Sequence, residues 1–215
     1  MKNVTLALSV LAFASSASAQ VVWDNYPFGP DGGLTSSQLD LVYPFDSQVA
    51  DDFVGGFTVN HIEWDGGFWN GSPVDIPDWN IIFYADAGGK PTGGPTDPTG
   101  TALYHYVISG GSVDIVDNGD FRYTYNVDLP DTVFDAETYW VAIQPVFAFP
   151  PQWGIAGALD SFQGYSAHSG FPLLGTDYWT PLDTGADMAF RLYGVPAPGA
   201  LALLGLAGLV GRRRR

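Results

Sequence analysis

One segment of the chain places a serine close to a histidine, Gly164-Tyr165-Ser166-Ala167-His168. Ser166 and His168 are two residues apart, so on a strand they would share one face, as a nucleophile and its base could. A nucleophile elbow reads G-x-S-x-G and leads into a helix, and this segment has neither the second Gly nor a helical pattern after it. No orienting acid is identifiable beside the pair. We therefore predict no catalytic residue and expect that the protein is not an enzyme.

The metal-binding residue types favour calcium over zinc. His61, His105 and His168 have none of the short spacings of zinc sites, and the chain contains no Cys. Calcium binds carboxylate and carbonyl oxygens, which Asp-rich loops supply. Four such side chains fall within seven residues: Asp114, Asp117, Asn118 and Asp120. The alternative is that these residues form turns and carry solubilising charge. No other cofactor is expected.

Asp51 and Asp52 are a second acidic pair, but they are adjacent in a predicted strand. Neighbouring residues of a strand point to opposite faces of the sheet. We therefore do not expect their side chains to bind one ion together.

Aromatic and acidic residues together raise two carbohydrate-related alternatives. Hydrolysis of a glycoside needs two carboxyl groups across a cleft, and Glu63 lies in an aromatic-rich segment with Trp64 and Trp69. Those two Trp side chains fit a packed core better, so a secreted glycoside hydrolase is the weaker alternative. A carbohydrate-binding module is the stronger one, because sugars stack on aromatic rings and the chain has seven Trp and eleven Tyr. Trp153 and Trp179 lie in a long irregular segment, and we expect them to be exposed and to bind the ligand.

Short alternating runs dominate the middle of the chain and predict β-strands. In the last run, Met188, Phe190 and Leu192 should share one face. Residues 117–120 (Asp-Asn-Gly-Asp) predict a hairpin turn, whereas 86–100 and 149–183 predict irregular loops. The resulting fold class is all-β: an antiparallel two-sheet sandwich, jelly-roll-like, followed by a C-terminal hydrophobic helix. The predicted strands are 49–54, 57–64, 79–85, 102–108, 112–116, 121–128, 139–146 and 187–193.

The charge of the middle region excludes some partners. Residues 20–194 contain only three strong bases, Lys90, Arg122 and Arg191, against all 23 acidic residues, which gives a net charge of −20. Such a surface repels phosphate backbones, so we expect no nucleic-acid partner. Of the acids, 21 are Asp and two are Glu, a bias typical of turns and loops rather than helices.

Both ends of the chain have the composition of targeting signals. Residues 1–19 combine Lys2, an apolar stretch and small residues ending at Ala19, which predicts a secretory signal peptide cleaved between Ala19 and Gln20. At the other end, Val195-Pro196-Ala197-Pro198 precedes 13 mostly apolar residues and then Arg212, Arg213, Arg214 and Arg215. The apolar run predicts a short transmembrane helix, and the arginines would stop it on the cytoplasmic side.

This tail resembles the PEP-CTERM sorting signal that exosortases process in Gram-negative bacteria. The family motif usually reads V-P-E-P, and Ala197 occupies the Glu position here. The segments 49–53, 79–86, 139–143 and 190–192 also resemble exported β-sandwich domains that accompany this signal. The chain then divides into a signal peptide (1–19), a β-sandwich domain (20–194) and a sorting signal (195–215).

The resemblance implies an exported surface or extracellular-matrix protein rather than a particular activity. Signal peptidase and an exosortase would be its processing enzymes, with cleavage by the exosortase near the motif. The C-terminal helix would anchor the chain in the inner membrane until that step, after which the product would be at the cell surface or extracellular. Exopolysaccharide is the partner that often accompanies such proteins.

Overall fold

The computed structural model describes residues 20–26, 33–43, 45–95, 101–158, 164–165, 167–182 and 187–196. These residues are mostly β-strand, with two short 3-10 helices, η1 (Gly110–Ser112) and η2 (Pro172–Leu174). Within the described ranges, no helix is long and apolar enough to cross a membrane. The strands are β1 (Gln20–Asp24), β2 (Leu34–Ser36), β3 (Gln38–Asp40), β4 (Phe45–Val54), β5 (Phe57–Trp69), β6 (Asp78–Ala85), β7 (Tyr104–Ser109), β8 (Asp114–Gly119), β9 (Arg122–Phe134), β10 (Thr138–Val146), β11 (Gln152–Ala158), β12 (His168–Phe171), β13 (Thr176–Pro181), β14 (Asp187–Met188) and β15 (Phe190–Pro196).

The strands form two sheets. In the first sheet, β9 pairs with one edge of the long strand β5. On the other edge of β5, β15 pairs with its N-terminal part and β11 with its C-terminal part. Strands β1, β2, β8 and β14 complete this eight-stranded sheet. The second sheet has the order β13-β12-β4-β3-β10-β6-β7, and β4 also pairs with β10. All of these pairings are antiparallel except the single contact between β3 and β10.

The two sheets pack face to face around one hydrophobic core, the arrangement of a β-sandwich. Period-two alternation sends every second side chain of each strand into this core. Trp64 of the first sheet meets Trp79 of the second edge to face, with ring centroids 5.1 Å apart. Each buried aromatic side chain removes roughly 150–250 Å² of surface from water. These rings therefore supply much of the stabilisation of a chain that has no disulfide.

A smaller cluster covers the outer face of the second sheet. Tyr84 and Trp140 of that face are fully buried, because Trp179 packs edge to face on Tyr84 and Tyr165 stacks on Trp140. The segment around residues 164–182 therefore forms a partial third layer over this sheet.

The structure confirms the all-β class, and each of the eight predicted strand segments overlaps an observed strand. Met188, Phe190 and Leu192 were predicted to share one face, and all three pack in the core between the sheets, although Ala189 interrupts the strand between β14 and β15. The prediction of an irregular segment at 149–183 was wrong, since it contains β11, β12 and β13. Its many small residues break the apolar alternation on which a strand assignment depends. The predicted C-terminal helix lies outside the described residues.

The predicted hairpin between β8 and β9 is confirmed, with a shifted turn. Gly119 pairs with Arg122, so the two loop residues are Asp120 and Phe121, with φ of 52° and 61°. Two consecutive left-handed residues are the geometry of a type I′ turn. The register shift between Asp117 and Gly119 places Asn118 in a bulge.

Candidate functional site

A cleft with a volume of about 760 Å³ opens at one end of the sandwich. It lies where β5 ends, where the chain passes from β7 to β8 through η1, and where β9 begins. We call it the end cleft, and it is lined by Phe68, residues 73–76, Gly110, Gly111, Ile115, Tyr123 and Tyr125. Its lining is therefore mainly apolar and aromatic, with the carboxylate of Asp75 as its charged group.

Aromatic rings form the floor of the end cleft. Tyr125 is buried, and its hydroxyl accepts a 3.2 Å hydrogen bond from Nε1 of Trp153. Tyr123 is half-buried and packs edge to face against Phe68, with centroids 5.9 Å apart. Among the described residues, the Tyr123 hydroxyl has no hydrogen-bond partner. Burial, and next to it Asp117, raises the pKa of Tyr123, so this hydroxyl stays protonated and can both donate and accept.

Two adjacent glycines form one wall of the end cleft, and they differ in what the fold requires. A side chain on Gly110 would collide with the carbonyl oxygen of Ile76, and its backbone N–H donates to the carbonyl of Pro77 at 2.7 Å. A Cβ on Gly111 would meet nothing within 4 Å, and Gly111 is not among the glycines with positive φ. Steric contact therefore explains why residue 110 is a glycine, whereas neither steric contact nor backbone conformation explains the glycine at position 111. Gly111 is exposed and lines the cleft.

Three buried acids lie close together away from the cleft: Asp51 and Asp52 of β4, and Asp187 of β14. Asp51 is fully buried, and its carboxylate accepts hydrogen bonds from Asn25 Nδ2 at 3.0 Å, from the Met188 N–H at 2.7 Å and from the Asp52 N–H at 2.9 Å. Burial, and after it the nearby Asp187, raises the pKa of Asp51. These hydrogen bonds hold the segments around residues 25 and 188 against β4.

Asp52 points to the opposite side of β4 from Asp51, as the alternation of a strand predicts. It accepts a hydrogen bond from the N–H of Tyr165 at 2.8 Å and so fixes the segment that covers the second sheet. Burial raises the pKa of Asp52 to about 7, with Asp187 and Asp86 adding to the rise. In the part of the chain that the structure describes, no group of three or more His, Cys, Asp or Glu residues is arranged to hold a metal ion.

The outer face of the first sheet is polar. His61 Nδ1 lies 2.8 Å from Asp128 Oδ1, and Arg191 pairs with Asp24 and Glu63 at 3.1 Å each. Asp128 is 95% exposed, so water screens its pair with His61 and the pair contributes little to stability. Glu63, which its aromatic neighbours made the candidate for glycoside chemistry, is thus an ion-pair partner of Arg191 on this face.

The expected exposure of Trp153 and Trp179 was wrong. Trp153 is 0% exposed and contacts Trp79 and Tyr125 in the core, while Trp179 is 5% exposed and packs on Tyr84. Because β11 and β13 run through the segment that was expected to be irregular, these rings pack against the two sheets. In this conformation neither ring offers a face to a sugar.

The residues proposed for calcium lie on β8 and its turn, and all four are exposed. The Asp117 carboxylate accepts the N–H of Gly119 at 2.8 Å, and Asn118 donates from Nδ2 to Thr124 Oγ1 at 2.9 Å. These are the contacts of turn-forming side chains. Calcium binding by Asp114, Asp117, Asn118 and Asp120 stays a prediction.

The other sequence-predicted sites fall at the ends of the described ranges or beyond them. His168 is buried against Trp140, with ring centroids 5.0 Å apart, while Ser166 lies outside the described residues. Gln20 begins β1, and Val195 and Pro196 end β15. The remaining sorting and cleavage residues lie outside the described residues: Ala19, Ala197, Pro198, Arg212, Arg213, Arg214 and Arg215.

Sequence reasoning missed the end cleft itself. Tyr123 was recognised as part of an alternating strand, and Phe68 as part of an aromatic segment, but 55 residues separate them. The available signal was the Gly110-Gly111 pair between two predicted strands, since small residues there leave space beside aromatic neighbours.

Fold and cleft together define this protein as an all-β, two-sheet domain with an open, aromatic-floored cleft at one end. No protein-family model, curated protein or solved structure matches the chain.

Proposed function

We propose that the protein is an exported, non-enzymatic surface or extracellular-matrix protein, made as a precursor that signal peptidase and an exosortase process. One observation carries the proposal: Gln20, the residue after the expected signal cleavage, already pairs in β1 with Gly194 of β15, next to the sorting motif. The expected mature chain is therefore part of the first sheet from its first residue.

The positions of the two strands add to this support. Gln20 pairs with Gly194, and Pro196 pairs with Phe57, so both ends of the domain leave the first sheet at the same end. While the C-terminal helix anchors the chain, this end of the domain would face the membrane. The helix itself and a jelly-roll-like strand order belong to the proposal.

Binding of carbohydrate, including exopolysaccharide, is the second candidate function, and the end cleft favours it. A half-buried Tyr ring, an exposed carboxylate and an open apolar wall are the features by which proteins hold sugars. The cleft replaces Trp153 and Trp179 as the candidate binding site.

Intact-mass analysis of the protein from its native host tests the sorting proposal. We expect the surface or medium fraction to contain a product that begins at Gln20 and lacks the four terminal arginines, and we expect this product to disappear when the exosortase is deleted. A chain that keeps residues 197–215 in every fraction would contradict processing and leave the tail a plain membrane anchor. That result would not bear on binding at the end cleft.

A further inference from the structure

We propose that the end cleft binds an uncharged saccharide chain, with the ring of Tyr123 as the stacking platform and Asp75 as a hydrogen-bond acceptor for sugar hydroxyls. This inference rests on the carbohydrate-binding candidate above and is independent of whether the sorting tail is processed.

The lining chemistry fits a sugar ring. A pyranose presents an apolar C–H face and an equatorial rim of hydroxyls, so it needs an aromatic face beside polar groups. Tyr123 supplies the ring and also a hydroxyl that has no partner among the described residues. Ile115 and Val74, which are 53% and 44% exposed, extend the apolar surface on both sides.

Gly111 gives an independent reason to treat the cleft as a binding site. Neither a steric contact nor a left-handed backbone requires Gly at this position. A glycine weakens the folded state through its backbone entropy, so it has a cost here that the fold does not explain. An open wall that admits a ligand accounts for it.

Charge decides which saccharides fit. Asp75 lines the cleft, and Asp117 of β8 lies directly opposite Tyr123 of β9. The described lining includes no basic side chain that could balance a uronate, sulfate or phosphate group. Anionic polysaccharides are therefore repelled, and uncharged ones are favoured.

The position of the cleft suits a surface protein. Phe57, next to Pro196, and Phe68, in the cleft, lie at opposite ends of β5, eleven residues apart. At about 3.3 Å per residue the separation is roughly 36 Å. A chain anchored through its tail would hold the cleft away from the membrane, where a matrix polysaccharide is accessible.

Calorimetric titration of the full chain, in a mild detergent, with four uncharged hexasaccharides tests the proposal: cellohexaose, xylohexaose, mannohexaose and hexa-N-acetylchitohexaose. We expect at least one to bind with an affinity that does not change with ionic strength. Tyr123→Ala and Gly111→Phe should each weaken that binding about tenfold, which corresponds to about 1.4 kcal/mol.

Gly33→Phe is the matched control for Gly111→Phe, because a Cβ at Gly33 also meets nothing within 4 Å and Gly33 does not line the cleft. It should leave the affinity within about twofold. Thermal unfolding of each variant separates loss of binding from loss of folding.

Three outcomes would overturn the proposal. In the first, none of the four oligosaccharides binds at millimolar concentration. In the second, binding survives both Tyr123→Ala and Gly111→Phe in folded protein. In the third, only a charged chain binds, either hexagalacturonate or the cationic glucosamine hexamer, with an affinity that falls as salt is added.

Discussion

Tyr123 and Trp153 show at the residue scale why aromatic abundance did not locate a binding site. Both are aromatic residues of a strand and both pack against the core between the sheets, so alternation alone does not tell them apart. Trp153 turns inward and is 0% exposed, whereas Tyr123 remains half-buried at the rim of the first sheet. Accessibility is a property of the packed sandwich, so it could not be read from residue type.

Phe121 carries a backbone conformation that is unfavourable for a bulky residue. Its φ is 61°, in the left-handed region, and its side chain is 51% exposed. The turn tolerates it because the Phe121 carbonyl accepts a 3.0 Å hydrogen bond from the N–H of Phe68.

We predict that Phe121→Gly is more stable than Phe121→Ala by about 1 kcal/mol, because Gly adopts the left-handed conformation without steric strain. Both variants lack the ring, so their difference isolates the backbone. Urea unfolding monitored by tryptophan fluorescence measures it. Equal stability of the two variants would show that the turn relaxes out of this conformation.

At the scale of elements, β11 shows why a strand can be missed when strands are predicted from sequence. Its residues Gly154 and Gly157 interrupt the apolar alternation, yet they have different neighbours. A Cβ on Gly154 would collide with the carbonyl oxygen of Thr35 and lie 2.7 Å from the ring of Trp69. The glycine lets β2 approach β11 and so belongs to the sheet rather than to a loop.

Gly154→Ala should therefore lower the free energy of unfolding by about 2 to 3 kcal/mol, the cost of overpacking a tight contact. Gly157→Ala, on the same strand, is the control, since its nearest neighbours lie at 3.8 Å. It should change the free energy by less than about 0.5 kcal/mol. Chemical denaturation of both variants checks the pair, and equal effects would contradict the close approach of β2.

Buried carboxyl groups govern stability at the scale of the whole molecule. Burial raises the pKa of Asp46, Asp51, Asp52 and Asp65, with hydrogen bonds opposing the rise, and that of Asp52 reaches about 7. An unfolded Asp titrates near 4, roughly. Between these values the folded state binds more protons than the unfolded state, so stability falls as pH rises.

We expect the protein to be less stable at pH 8 than at pH 5, with Asp52 contributing about 2 kcal/mol of the difference. Asp52→Asn should reduce this pH dependence, because the amide oxygen can still accept the N–H of Tyr165 while no group titrates. Asp177→Asn, at an exposed position, is the control and should leave the slope unchanged. Urea unfolding midpoints measured between about pH 4 and pH 9 test this effect. Stability that rises with pH over this range would contradict it.

Local pattern determined the all-β class, the eight predicted strand segments and the hairpin between β8 and β9, because alternation and turn chemistry involve residues that are neighbours in the chain. It did not reveal β11, β12 and β13. Composition likewise fixed the charge of residues 20–194. The end cleft, the burial of Trp153 and the grouping of Asp51, Asp52 and Asp187 were decided by the tertiary structure alone. Each depends on which strands pair and which faces meet, and such contacts join residues tens of positions apart, whose side chains carry no local mark of their partners.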